Sequence, residues 1–300
     1  MSVARGARLS LIASLAVLLA AAAAQAAPRR TAPRVVTCSG SAASPGVLAG
    51  AYAHDVHISG TCDVDAGRVT VHGELVVLRG ATLLAAYAVN DRSHAGTSDL
   101  TVDGSLHVEE GATAILGCEP GHLVCLDDPN QGSPTLSSEV RIDGSLRATG
   151  AEGVVVHNTV VLGSITQTGG GGGPACQQTG IFTKLQNPVY SDYEDMTIGR
   201  NLTVSGLSSC WLGLARLRVG GSVAVTQDQL ADPDAIEILS NRIAGNLACA
   251  QDSHVWDSSD VYSSIFPRVD DPNTVRGRRY GQCVLVSPTA EGAGLGPGPF

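Results

Sequence analysis

The chain is poor in lysine and in aromatic side chains. Lys184 is its single lysine, and 28 acidic against 19 basic residues give a formal charge of −9. That balance argues against nucleic acid or an anionic membrane surface as a partner, because both need clustered cations. Aromatic residues make up only 4% of the chain, little ring volume for a globular core of this length. No C-x-x-C pair exists, which removes the usual thiolate frame for zinc. There is no G-x-S-x-G elbow, and the glycine run Gly169 to Gly173 leads to Pro174, without the Lys-Ser or Lys-Thr of a phosphate loop. No second long apolar run follows the N-terminal one, so no membrane span is expected once that segment is removed.

What is present begins with that segment. Arg5 and Arg8 precede an uninterrupted apolar and small run from Leu9 to Ala24, followed by Ala24-Gln25-Ala26. A short apolar stretch with a small-x-small exit reads as a secretory signal peptide, cleaved after Ala26 or Ala27. Its loss removes two arginines and no acid, taking the balance to 17 basic against 28 acidic residues and the charge from −9 to −11. The mature protein is expected to be secreted, in the extracellular space or at the cell surface. Arginine in large excess over lysine, with abundant Ala, Gly and Val, points to a bacterial genome of high GC content.

Eight cysteines in an exported chain form an even set, for which disulfides are the default. Spacing cannot fix one pairing among about 105. Proximity in sequence favours Cys38 with Cys62, Cys118 with Cys125, Cys176 with Cys210, and Cys249 with Cys283.

The organising pattern is apolar-x-apolar-x-Gly-x-apolar-x-apolar. It is clearest in Leu100 to Leu116, where Leu100, Val102, Leu106 and Val108 share one parity around Gly104, and it recurs at Gly73, Gly144, Gly163, Gly221 and Gly245. A weaker copy places Arg200 where the glycine belongs. Several intervals between these centres fall near one or two multiples of about 20 residues, the rung of a short-repeat solenoid. The interval from Gly73 to Gly104 does not fit and implies an insertion at Tyr87 to Thr97.

A hairpin turning at Asp103-Gly104 is the competing reading. It would pair Val102 with Ser105 and throw Leu106 and Val108 onto the opposite face, splitting the apolar set. An extended run bent at glycine keeps them together. The fold expected is therefore all-β, a single-stranded parallel β-helix or β-solenoid with loop excursions and a disordered C-terminal tail. The expected division is a signal peptide over 1–26, a lead-in and cap over 27–53, the solenoid over 54–286 and the tail over 287–300. Gly117 to Leu136 reads as a loop, Gly169 to Gly173 as the most mobile stretch, and Asp232 to Ile243 as a short helix or a rung strand.

The Gly-x-Leu-x-Val-x-x-Gly-Ala rungs resemble parallel β-helix proteins, and over Val56 to Cys249 their short spacing is similar to the polymer-forming bactofilins. Unlike bactofilins, this chain carries an export signal and cysteines. Asn241 to Cys249, with Asn273 to Gly277 and Gly281 to Cys283, resembles a segment of uncharacterised secreted bacterial proteins. That likeness implies an extracellular role and supports the pairing of Cys249 with Cys283.

Candidate chemistry is sparse. Asp192, Glu194 and Asp195 in YSDYEDM form the densest acidic patch, weighed as a calcium loop and preferred as a solvated loop. The Asp127-Asp128 and Asp270-Asp271 pairs precede proline and read as turns. His54, Asp55, His57 and His72 lack the partners of a zinc set, and Ser98 is a serine near His94 in a loop. No catalytic residue is assigned, and no metal or cofactor is expected. The chain reads as an exported solenoid of structural, surface-associated or binding role, with a cell-surface or extracellular polysaccharide as the partner expected. A polysaccharide lyase or glycoside hydrolase with a site assembled from distant residues is the alternative.

Overall fold

The computed structural model describes residues 35–94, 96–233, 235–257 and 272–284. The stretches expected to be a signal peptide (1–26) and a C-terminal tail (287–300), and Asp270-Asp271, lie outside them. Nearly all of the regular structure is short parallel strand, arranged as three sheets of ten, nine and nine strands through which the chain passes in turn. One full coil runs from Leu75–Val77 in the first sheet to Thr82–Ala85 in the second and Leu100–Val102 in the third, and Leu106–Val108 then pairs in parallel register with Leu75–Val77. The chain winds onward at Gly104 and does not reverse, so the parity argument holds.

The register piles like residues on one another. Leu75, Leu106, Leu146, Ile165, Leu202, Val223 and Leu247 form one continuous column inside the coil. All seven are buried. Aligned aliphatic ladders fill this interior, which is why few rings are needed. Three of the rings that do occur, Phe182, Tyr190 and Trp211, form an edge-to-tilted stack with centroids 5.6 and 5.1 Å apart.

The corner between third and first sheets carries the repeat's glycine. Its amide bonds to the same position one coil back: Gly104 to Gly73, Gly144 to Gly104, Gly163 to Gly144, Arg200 to Gly163, Gly221 to Arg200, Gly245 to Gly221 and Gly277 to Gly245, at 2.7–3.1 Å. None of these residues has a positive φ. At Gly104 proximity excludes a side chain: a Cβ there would lie 2.4 Å from the Gly73 carbonyl oxygen. Arg200 stands in the ladder itself, as the weaker repeat implied. The following residue adds a second ladder, in which Ser105, Ser145, Ser164, Asn201, Ser222 and Asn246 each accept the backbone N–H of their counterpart one coil on. Gly and Ser/Asn together therefore pair the backbone N–H groups of this half-buried corner from coil to coil.

Four disulfides join the expected partners: Cys38–Cys62, Cys118–Cys125, Cys176–Cys210 and Cys249–Cys283. The first and last clip the two ends of the stack, and the middle two brace excursions.

Three expectations need revision. Coiling already starts at Val36–Cys38, Gly46–Val47 and Gly50–Tyr52, inside the stretch read as lead-in and cap, because these strands pair with the next coil. The glycine run is no loose linker. Gly169 to Gly173 all have positive φ, and the amides of Gly171 and Gly173 bond to Ala151 and Ser208 of adjacent segments. A Cβ at Gly170 or Gly171 would meet backbone at 2.0 and 2.3 Å, so tight packing demands glycine at these two positions, while positive φ favours it along the whole run. The Asp232 to Ile243 stretch resolves as the rung strand Ile236–Leu239, while a short helix, Gly180–Leu185, forms where none was expected.

The excursion after Leu116, which returns at Val140, is organised by its acids. Asp128 accepts the N–H groups of Asn130, Thr135 and Leu136, in keeping with its reading as a turn former, whereas Asp127 accepts those of Ala88 and Val89 and ties the excursion to the preceding one.

Candidate functional site

The strand Ser191–Glu194 alternates sides. Ser191 and Tyr193 face the interior, where the Tyr193 hydroxyl donates to Gln167 Oε1 and Gln167 Nε2 donates to Ser191 Oγ, both at 2.8 Å. Asp192 and Glu194 therefore take the opposite face. They are nonetheless buried, and Asp195 follows at a left-handed corner position with φ 49°. The expectation of a solvated loop is thus overturned: the patch is a strand and its corner, roofed by the excursion that Cys118–Cys125 closes.

That roof supplies two residues the sequence reading missed. Glu119 and His122 lie inside the disulfide loop, His157 follows the strand Gly153–Val156, and Arg216 occupies the corner one coil beyond Asp195. Arg216 donates to both oxygens of Asp195 at 2.8–3.0 Å, to His122 Nδ1 at 2.8 Å, and to Glu194. The two ring nitrogens of His157 face different carboxyls, Nε2 standing 3.2 Å from Asp192 and Nδ1 3.8 Å from Glu194. Asp192 and Glu194 are thus brought together with Asp195, as sequence proximity allowed. What could have flagged the others is the pairing of Glu and His within seven residues of bridged cysteine, and a histidine ending the apolar run VVVH.

Four carboxyls here meet one guanidinium, and their protonation reflects it. Burial pushes Asp192 up to about 7, and burial together with the Asp192 charge raises Glu194 well above the carboxylate range. Burial and the Asp195 charge push Glu119 up to about 8. Asp195 is also opposed by burial, but the hydrogen bonds and charge of Arg216 hold it below its ordinary value. Burial lowers both histidines, His122 to about 4 with help from Arg216, so both imidazoles are neutral near pH 7.

The other candidates are structural. His72 Nδ1 lies 2.7 Å from Asp103, and Asp55 accepts the Glu74 amide. Ser98 accepts from Gly67 and donates to Val89.

Next to the acidic cluster, the outer face of the third sheet is basic. Arg218 and Arg242 are neighbours in parallel register, flanked by Thr197 and Thr274. With Arg276 on the next coil they line an open groove of about 440 Å³, and both border a second hollow of about 280 Å³ that reaches Asp195 and Arg216. Among the described residues no carboxylate pairs with Arg218, Arg242 or Arg276, and all three are exposed. No helix among the described residues is long and apolar enough to cross a membrane. Comparison with family models, with curated proteins and with solved structures returned no match to this chain.

Proposed function

We propose that this chain is an exported, disulfide-braced β-solenoid that serves as a binding module for an acidic polysaccharide at the cell surface or outside the cell. One observation carries the reading: Arg218 and Arg242 stack in register on an otherwise acidic protein, with Arg276 beside them and no carboxylate paired with them among the described residues. Like charges directly opposite on neighbouring strands are destabilising. A carboxylated or sulfated chain laid along the groove relieves that repulsion through bidentate guanidinium contacts repeated at the rung spacing of about 4.8 Å. Export is supported by the signal-like pattern of Met1 to Ala26 and by the four bridges, which suit an oxidising compartment. The solenoid supplies the rigid, repeating platform such a ligand needs.

The test is binding of the mature protein to polygalacturonate and to a neutral glucan, at low and moderate salt. Acidic polymer alone should bind, with affinity falling as salt rises. Exposed ion pairs contribute about 0.2–1 kcal/mol each, so the double variant Arg218→Gln/Arg242→Gln should bind roughly 2- to 30-fold more weakly. Equal binding by the double variant, or none by the parent, rejects the reading.

A lyase or hydrolase is the second reading. It is favoured by the convergence of Glu119, His122, His157, Asp192, Glu194 and Asp195 beside the same groove. Cleavage of the polymer during the binding assay would select it.

A further inference from the structure

The buried cluster is more than a counterweight to Arg216. We infer that His157, Asp192 and Glu194 form a site for one divalent transition-metal ion, with zinc or manganese as its occupant. The three side chains each offer an atom, all mutually within 4.8 Å. All three residues are over nine-tenths buried. Two atoms of this same triad, His157 Nδ1 and Asp192 Oδ1, are buried without a hydrogen-bond partner. Buried polar atoms left without a partner cost free energy, which a cation held among the three side chains would recover. Arg216 cannot fill that role, because its guanidinium is committed to Asp195, Glu194 and His122.

Charge and donor type give the ion its character. Arg216 is shared between Asp195 and Glu194 and does not reach Asp192, so the three carboxylates, when ionised, carry two more negative charges than the guanidinium offsets, and a divalent ion matches that excess. A nitrogen with two carboxylate oxygens is a donor set for zinc or manganese, whereas calcium seeks six to eight oxygens. Glu119, His122 and Asp195 surround the triad and would orient it. Entry is from the side of His122 and Arg216, whose side chains are 18% and 22% exposed. The Cys176, Cys210 and Asp232 group offers no such site, since its sulfurs are joined in a disulfide.

The experiment uses untagged mature chain, stripped with a chelator under non-reducing conditions and dialysed against zinc, manganese or calcium. We expect one zinc or manganese ion per chain, a higher thermal midpoint when loaded, and calcium bound at least tenfold more weakly. Asp192→Asn and His157→Gln should each weaken binding by two orders of magnitude or more. Arg218→Gln/Arg242→Gln should bind the ion as the parent does, which separates this site from the groove. Because the buried variants can fail to fold, the parent is also followed by nitrogen NMR of its histidines. Ligation must shift one buried imidazole while the exposed rings stay in place. No stoichiometric ion in the folded parent, tight binding of calcium alone, undiminished binding by folded Asp192→Asn, or an unshifted buried imidazole would each overturn the inference. A proton shared between Asp192 and Glu194 then accounts for the cluster.

Discussion

Replacing Gly104 by alanine tests the stacking directly. The new Cβ would stand 2.4 Å from the Gly73 carbonyl oxygen and 2.8 Å from its carbon. Neither atom belongs to a flexible side chain, so two coils must part. The Gly104 to Gly73 hydrogen bond, 3.0 Å long, is stretched or lost, costing about 0.5–1.5 kcal/mol. Overpacking this tightly stacked corner adds about 1–3 kcal/mol, for a total of about 1.5–4.5 kcal/mol. Gly80→Ala is the control for conformation alone. Gly80 has φ +68° with no neighbour within 4 Å, so the left-handed penalty of about 1–2 kcal/mol is all that applies. Gly132→Ala meets neither obstacle and should stabilise by about 0.4–1 kcal/mol through the unfolded chain. Equilibrium urea unfolding of the oxidised proteins, followed by far-ultraviolet circular dichroism, should rank stability as Gly132→Ala, parent, Gly80→Ala, Gly104→Ala. If Gly104→Ala is no less stable than Gly80→Ala, close approach between coils is not what fixes glycine at this corner.

Two further expectations concern buried polar groups. Tyr193→Phe leaves Gln167 Oε1 unpaired in the interior and should destabilise by about 1–3 kcal/mol in the same urea assay, whereas an unchanged midpoint would mean that water or another donor takes over. Burial pushes Asp228 up to about 7, and Asp228 Oδ2 has no partner. A carboxyl raised on folding contributes stability that is complete below about pH 4 and lost as pH rises through about 7, because the folded state holds the proton longer. Urea midpoints across that window should fall for the parent, and Asp228→Asn should remove up to about 4 kcal/mol of the fall. Equal slopes in the two proteins would refute this assignment.

The coil was legible because its signal is periodic and local. Parity around Gly104 separated onward winding from reversal, and sequence proximity sufficed for cysteines since each bridge joins neighbouring coils or closes one excursion. The acidic site was half legible. Asp192, Glu194 and Asp195 stand together in sequence, but their burial depends on a roof hung from Leu116, and parallel stacking brings Arg216 and His157 to them from other coils. No periodicity announces a roof. The glycine run misled for a related reason: composition cannot distinguish glycine chosen for freedom from glycine chosen because nothing larger fits.

The excursions avoid one corner. Those after Ala85, Leu116 and Thr168 leave from the ends of first- or second-sheet strands, while the passage from third sheet to first is uninterrupted in every described coil. The Gly and Ser/Asn positions thus act as a spine that sets register for everything hung from it. Lengthening that spine by a residue would misalign each later coil, whereas a loop grafted at the opposite edges leaves the count intact. New recognition surfaces can be exchanged there without rebuilding the stack.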